Sequence, residues 1–147
     1  MSSVSYVSVP SYSAHGIGQL VYHLEWCPKY RYRMLRQLRF KDLLAHVLLE
    51  VAAQLRAEII ELGIADDHVH VVISLRPVHS VSEVLHALKG ASAHALFSVE
   101  PKFRLRYPEG EFWSPGKFYR SVGDVDLATT RKYVREQDHR QLQLSEF

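Results

Sequence analysis

The sequence predicts an α+β domain. A ferredoxin-like βαββαβ chain would form a four-stranded antiparallel sheet, and an extra C-terminal helix would follow it. Three observations lead there. Short β-branched and aromatic runs alternate with longer stretches in which apolar residues recur every three or four positions. Prolines and glycines mark the boundaries between them. The order of the two patterns is strand, helix, strand, strand, helix, strand, and then a final helix.

Residues 1–16 are rich in Ser, Tyr and Val and read as an N-terminal arm, either flexible or added to the sheet as an edge strand. Residues 17–147 read as one domain. Gln19 to Cys27 is aromatic and β-branched and stops at Pro28, which predicts the first strand. Lys29 to Leu38 follows as a basic loop in which Tyr30 and Tyr32 alternate with Lys29, Arg31 and Arg33. Phe40 to Arg56 carries Leu43, Leu44, Val47, Leu48, Val51, Ala52 and Leu55 at helical steps and predicts an amphipathic helix. Glu58 to Ile64 predicts the second strand, Asp66-Asp67 a tight turn, and His68 to Leu75 the third strand, ended by Pro77.

Ser80 or Ser82 can cap the second helix, which runs on to Pro101. Gly90 and the small residues after it leave room there for another chain to come close. Lys102 to Pro115 predicts a long loop with Phe112 and Trp113 exposed. Lys117 to Val122 predicts the fourth strand, ended by Gly123. Asp126 then caps a helix from Leu127 to about Arg140, docked by Leu127 and Val134.

Composition narrows the class. The chain has 147 residues, enough for one domain with a sizeable core. No apolar run approaches a membrane span, and the N-terminus lacks the pattern of a signal peptide. The single cysteine, Cys27, excludes an internal disulfide and a cysteine-based zinc site, which suits the cytoplasm. The net charge of +2 says little about a nucleic-acid partner. The distribution says more: Lys29 to Lys41 is basic with no acid, and Lys102, Arg104 and Arg106 form a second cluster. Both clusters are equally compatible with solvated loops.

One motif stands out. Asp67-His68-Val69-His70 lies in an apolar β-branched run, and strand alternation points both imidazoles to one face. Such a pair can ligate a metal, although a lone His-x-His is more often a polar sheet face. On the last helix, Tyr133 and Gln137 are four residues apart and share a face. A tyrosine assisted by a metal can attack phosphorus, and an amide oxygen suits a hard cation.

With these residues in place, the chain resembles the single-tyrosine HUH transposases of the smallest insertion sequences, the TnpA type. The resemblance is carried by Tyr22-His23-Leu24 with Trp26-Cys27-Pro28-Lys29-Tyr30-Arg31, Asp67-His68-Val69-His70, Leu88-Lys89-Gly90 with Ser92, Phe112-Trp113-Ser114-Pro115-Gly116, Ser121-Val122-Gly123 and Lys132-Tyr133-Val134 with Gln137. It implies cleavage and rejoining of single-stranded DNA at hairpin-bearing ends through a 5′-phosphotyrosine at Tyr133. It implies Mg²⁺ or Mn²⁺ on His68, His70 and Gln137. Lys29, Arg31, Arg33 and Lys89 are the expected DNA contacts. It also implies a homodimer, in which the tyrosine helix of one subunit can complete the site of the other. Three positions depart from the family. Asp66 stands where proline is frequent, and Ala91 and His94 replace basic residues. The alternatives are a domesticated repeat-associated tyrosine transposase and a non-catalytic ferredoxin-like module that binds nucleic acid or metal.

Overall fold

The computed structural model describes residues 11–13, 16–18 and 20–139. Strands β1 (Ser11–Ser13) and β2 (Gly16–Gly18) pair antiparallel as a small hairpin of their own, so this part of the arm adds nothing to the main sheet. The rest of the arm, residues 1–10 and 14–15, lies outside the described residues. The main sheet holds β3 (Leu20–Trp26), β4 (Glu58–Ile64), β5 (Val69–Leu75) and β6 (Phe118–Ser121) in the order β4-β5-β3-β6, every neighbouring pair antiparallel. This is the predicted ferredoxin-like arrangement.

Each face of the sheet has its own core. Leu24 and Trp26 of β3 and Val69, Val71, Ile73 and Leu75 of β5 point to the face covered by α1 (Leu38–Gln54) and α2 (Val81–Val99). The alternating residues point the other way. There Val21, Ile60, Val72 and Val122 meet Val134 of α4 (Asp124–Glu136), with Leu127 alongside. Val134 and Leu127 thus dock the last helix as the apolar spacing suggests.

Two features of β4 seat α4. A bulge lies between Ile59 and Glu61, so Ile60 and Glu61, although consecutive, both face α4. Glu61 is buried there and accepts from Arg131 and Arg135 of α4 at 3.3–3.5 Å. Beyond the bulge, Gly63 pairs with His70 across the strands. A Cβ on Gly63 would lie 2.2 Å from the Val134 carbonyl oxygen, so only glycine admits the helix at this depth.

Several boundaries differ from the sequence reading. Helix α1 starts at Leu38 and stops at Gln54, and Arg56 takes a left-handed φ of 53° to turn into β4. Ser80 is the cap of α2; its hydroxyl accepts from the Glu83 N–H at 3.1 Å. Helix α4 begins at Asp124, so Asp126 lies inside it, and Gly123 occupies the N-cap with no side-chain cap. Its regular hydrogen bonding ends at Glu136, and Arg140 lies outside the described residues. The 102–115 loop contains a single turn, α3 (Phe103–Arg106).

Phe112 and Trp113, expected to be exposed, are buried. The Trp113 indole donates to Lys89 O and Ser92 Oγ at 3.1 and 3.0 Å, and its ring lies edge-on to Trp26. Trp113 therefore fills the space beside Ser92 that the small residues of α2 leave. A loop without periodicity gives no sign of this, because the contacts are all distant in sequence.

Asp66, the departure from the family pattern, has a local partner. The ammonium of Lys41 is fully buried and donates to the carbonyls of Leu35 and Arg36 and to Asp66 Oδ1, the last at 2.7 Å. Removing one member of such a pair strands a buried charge. Asp66→Ala should destabilise the domain by about 3 kcal/mol in urea denaturation. Asp66→Asn, which keeps an acceptor, should cost less.

Candidate metal and tyrosine site

The site grows from the α4 face of the sheet. His68 sits just before the first residue of β5 and His70 lies within the strand, so both rings project to this face, with centroids 4.7 Å apart. His70 is fully buried and His68 nearly so. Tyr133 and Gln137 arrive from the end of α4. The Tyr133 ring stands edge-on to His70 at 5.4 Å, and Gln137 Oε1 lies 3.3 Å from His68 Nε2. All four residues come together within one chain. The Tyr133 ring is about half exposed, so an incoming strand can reach it.

The surroundings prepare the rings for a cation. Asp67 Oδ1 is 2.7 Å from His68 Nδ1 and accepts its proton, which leaves Nε2 with its lone pair beside Gln137. Burial alone would push the Asp67 carboxyl up, but the hydrogen bond to His68 and the Arg31 guanidinium outweigh it and hold the group below the usual range. His70 is pushed down to about 3, first by burial and then by the neighbouring His68 and His23. A neutral ring is the form that ligates a metal. Two imidazoles and one amide oxygen, with the second nitrogen of each ring already engaged, fit a divalent cation with open positions for phosphate oxygens.

Two residues not predicted as site residues belong here. His23 and Glu25 alternate along β3 on the same face, and Glu25 is the cross-strand partner of His70. His23 Nε2 is 3.0 Å and Glu25 Oε2 3.6 Å from His70 Nδ1, and the three residues could together hold a metal ion. Burial and the nearby Arg120 lower the pKa of His23. The two-residue spacing on the first strand was a legible signal. Its partner was not, because register across strands is a tertiary fact.

His70 sets a pH dependence. Its folded pKa lies below the unfolded value near 6.5, so the unfolded chain binds the extra proton first. Stability is complete above the unfolded value and is lost as pH falls from there towards about 3. The metal-free protein should lose about 2 kcal/mol between pH 7 and pH 5 from this residue alone. Denaturant midpoints at the two pH values measure it, and His70→Gln should remove that share.

The expected DNA contacts have separate fates. Lys29 is held by Glu109 and Glu111 at 3.5 and 3.2 Å, mainly by the Glu111 hydrogen bond that raises its pKa. Arg31 is paired with Asp67 at 3.3 Å. Lys89 donates to the Ser114 carbonyl at 2.8 Å, and burial lowers its pKa. Arg33 forms no salt bridge among the described residues and lines a groove of about 910 Å³. Arg36, Arg39, Lys102 and Arg106 line it too, so the fold unites the two basic clusters of the sequence. The only acid in this lining is Asp66, already bound to Lys41. Beside it Tyr30 and Tyr32 lie ring to ring at 5.4 Å and remain exposed, on a turn where Tyr30 and Arg31 both take left-handed φ values of 63° and 53°. Left-handed backbone at non-glycine residues persists only where the surroundings impose it. Here the Tyr107 hydroxyl donates to the Lys29 carbonyl and the Lys29 N–H donates to Phe112 O.

The family model described as "Transposase IS200 like" matches residues 17–137, and the chain belongs to that family. It is 34% identical over 137 residues to the ISDra2 transposase TnpA of Deinococcus radiodurans, covering 91% of this chain and 97% of that protein. It is 28% identical over 127 residues to the transposase for insertion sequence element IS200 of Salmonella typhimurium, covering 84% of this chain and 80% of that one. Among solved structures, a candidate transposase from Deinococcus radiodurans superimposes with a TM-score of 0.71 at 30% identity, over 87% of this chain and 98% of that chain. A repeat-associated tyrosine transposase bound to a REP hairpin shares the fold, with a TM-score of 0.60 at 16% identity, over 86% of this chain and 70% of that chain. Among the described residues, no helix is long and apolar enough to cross a membrane.

Proposed function

We propose that this DNA transposase cuts and rejoins single-stranded DNA at hairpin-bearing element ends through a phosphotyrosine on Tyr133. The observation that carries the reading is the convergence of Tyr133 and Gln137 with His68 and His70 on one face of the sheet. His68 Nε2, His70 and Gln137 Oε1 would hold Mg²⁺ or Mn²⁺. A bound divalent ion would polarise the scissile phosphate.

The remaining chemistry belongs to the chain. Tyr133 Oη forms a bond to phosphorus as the P–O3′ bond breaks. The phenol loses its proton, and the departing 3′ oxygen gains one. The products are a 5′-phosphotyrosine and a free 3′-OH. The linkage conserves the energy of the phosphodiester, so a second 3′-OH can reverse the step and join a new strand without ATP. Asp67 orients His68. Glu61 with Arg131 and Arg135 fixes the helix that carries the nucleophile. A homodimer is part of this proposal, as is the single-stranded substrate.

The basic groove supplies the substrate track. Arg33, Lys102 and Arg106 carry no acid partner among the described residues, whereas Lys29 and Lys89 are engaged within the protein. Each phosphate contact removed should flatten the log–log salt dependence of single-strand binding by about 0.7. Lys102→Ala and Arg106→Ala are expected to do so in fluorescence anisotropy titrations. An unchanged slope in both would place the DNA elsewhere. Metal dependence is tested on the same oligonucleotides. Nicking should stop in excess EDTA and return with Mn²⁺, and full activity under chelation would contradict the metal role.

A further inference from the structure

We infer that Glu25 is a positioning residue that selects the metal-binding tautomer of His70. Its carboxylate keeps the imidazole proton on Nδ1 and leaves Nε2 free as a ligand. The inference rests on His68, His70 and Gln137 being the ligand set.

Three groups meet at one nitrogen. His70 Nδ1 faces His23 Nε2 at 3.0 Å and Glu25 Oε2 at 3.6 Å. Both rings are buried, and at 3.0 Å one of the two facing nitrogens must carry a proton and the other must accept it. One proton therefore occupies the His23–His70 contact, and it can sit on either side. If it sits on His23 Nε2, His70 accepts at Nδ1 and must carry its own proton on Nε2, which blocks that lone pair. If it sits on His70 Nδ1, Nε2 is free.

His23 does not decide between these states. Its other nitrogen, Nδ1, is buried without a hydrogen-bond partner and stays unpaired in both. Glu25 does decide. Its carboxylate oxygen, 3.6 Å away, favours the proton on the ring nitrogen it faces, His70 Nδ1. The cross-strand pairing of Glu25 with His70 holds it there. His68 is set the same way by Asp67, so each ligand imidazole has its own carboxylate.

The test uses the metal-free, ¹⁵N-labelled full chain. Two-bond ¹H–¹⁵N correlations assign the ring tautomers directly. Wild-type His70 should carry its proton on Nδ1, and Glu25→Val should move it wholly or partly to Nε2. Mn²⁺ titration calorimetry should give one ion per chain in both proteins, bound about 10–100-fold more weakly by the variant. Glu25→Gln, which keeps shape and an acceptor oxygen without the charge, should fall between them. It also carries the test if the valine protein melts early.

An unchanged His70 tautomer, or unchanged Mn²⁺ affinity in both variants, overturns the inference. So does a wild-type stoichiometry of two ions with one lost in Glu25→Val, because Glu25 would then be a direct ligand with His23 and His70. If His70→Ala binds Mn²⁺ as tightly as wild type, the ligand set itself is wrong. The tautomer spectra remain a separate reading of what Glu25 does.

Discussion

Tyr133→Phe leaves single-strand binding intact and abolishes covalent capture of the cut strand. The substitution removes one oxygen and keeps the ring that lies edge-on to His70 at 5.4 Å, so the packing of the site survives. Tyr133 is about half exposed, and the basic groove that would hold the strand lies on other elements. Binding and chemistry should therefore separate. The phenol oxygen is the attacking atom, so adduct formation should fall by at least about 10³-fold, to the limit of a denaturing gel. Anisotropy should report an affinity within about twofold of wild type. An adduct that persists in Tyr133→Phe assigns the nucleophile elsewhere.

Gly63→Ala should slow the same step about 100-fold without touching a catalytic group. The new methyl would sit 2.2 Å from the Val134 carbonyl oxygen and 3.2 Å from its carbonyl carbon. These are backbone atoms, so the helix has to move. Val134 is fully buried between the helix and the sheet, and Tyr133 is its neighbour in the chain. Lifting α4 costs about 1–3 kcal/mol of packing and displaces the nucleophile. A displacement near 1 Å is enough for a loss of about 10²-fold. Single-turnover adduct formation measures the rate, and urea denaturation measures the stability. Wild-type rates in Gly63→Ala would mean that α4 works from another position than the one over its own sheet.

Much of this molecule is written locally. The alternation of β3 and β5 and the helical steps of α1 and α2 are short-range patterns, and so are the two histidines on one face of β5. The four-residue spacing of Tyr133 and Gln137 needs only helix geometry. What could not be read is what distant elements do to one another. Trp113 looked exposed because its partners, Lys89 and Ser92, are on another helix. The hydrogen bond of Lys89 is not legible either, because its acceptor, the Ser114 carbonyl, is equally remote. Asp66 looked like a mere departure from a family pattern until Lys41 supplied its counter-charge. Glu25 shares a strand face with His23 by its spacing, but only the β3–β5 register places it opposite His70. The bulge in β4 is similar: it turns Ile60 and Glu61 to one side, which strict alternation forbids.

The role of Tyr133 can be read from the covalent product itself. The wild-type protein is incubated with single-stranded oligonucleotides from the element ends and Mn²⁺, digested with protease, and the nucleotide-bearing peptide is sequenced by mass spectrometry. A 5′-phosphonucleotide attached to Tyr133 is expected, formed with the metal and missing under chelation. An adduct on any other residue, or none under any divalent metal, would contradict it.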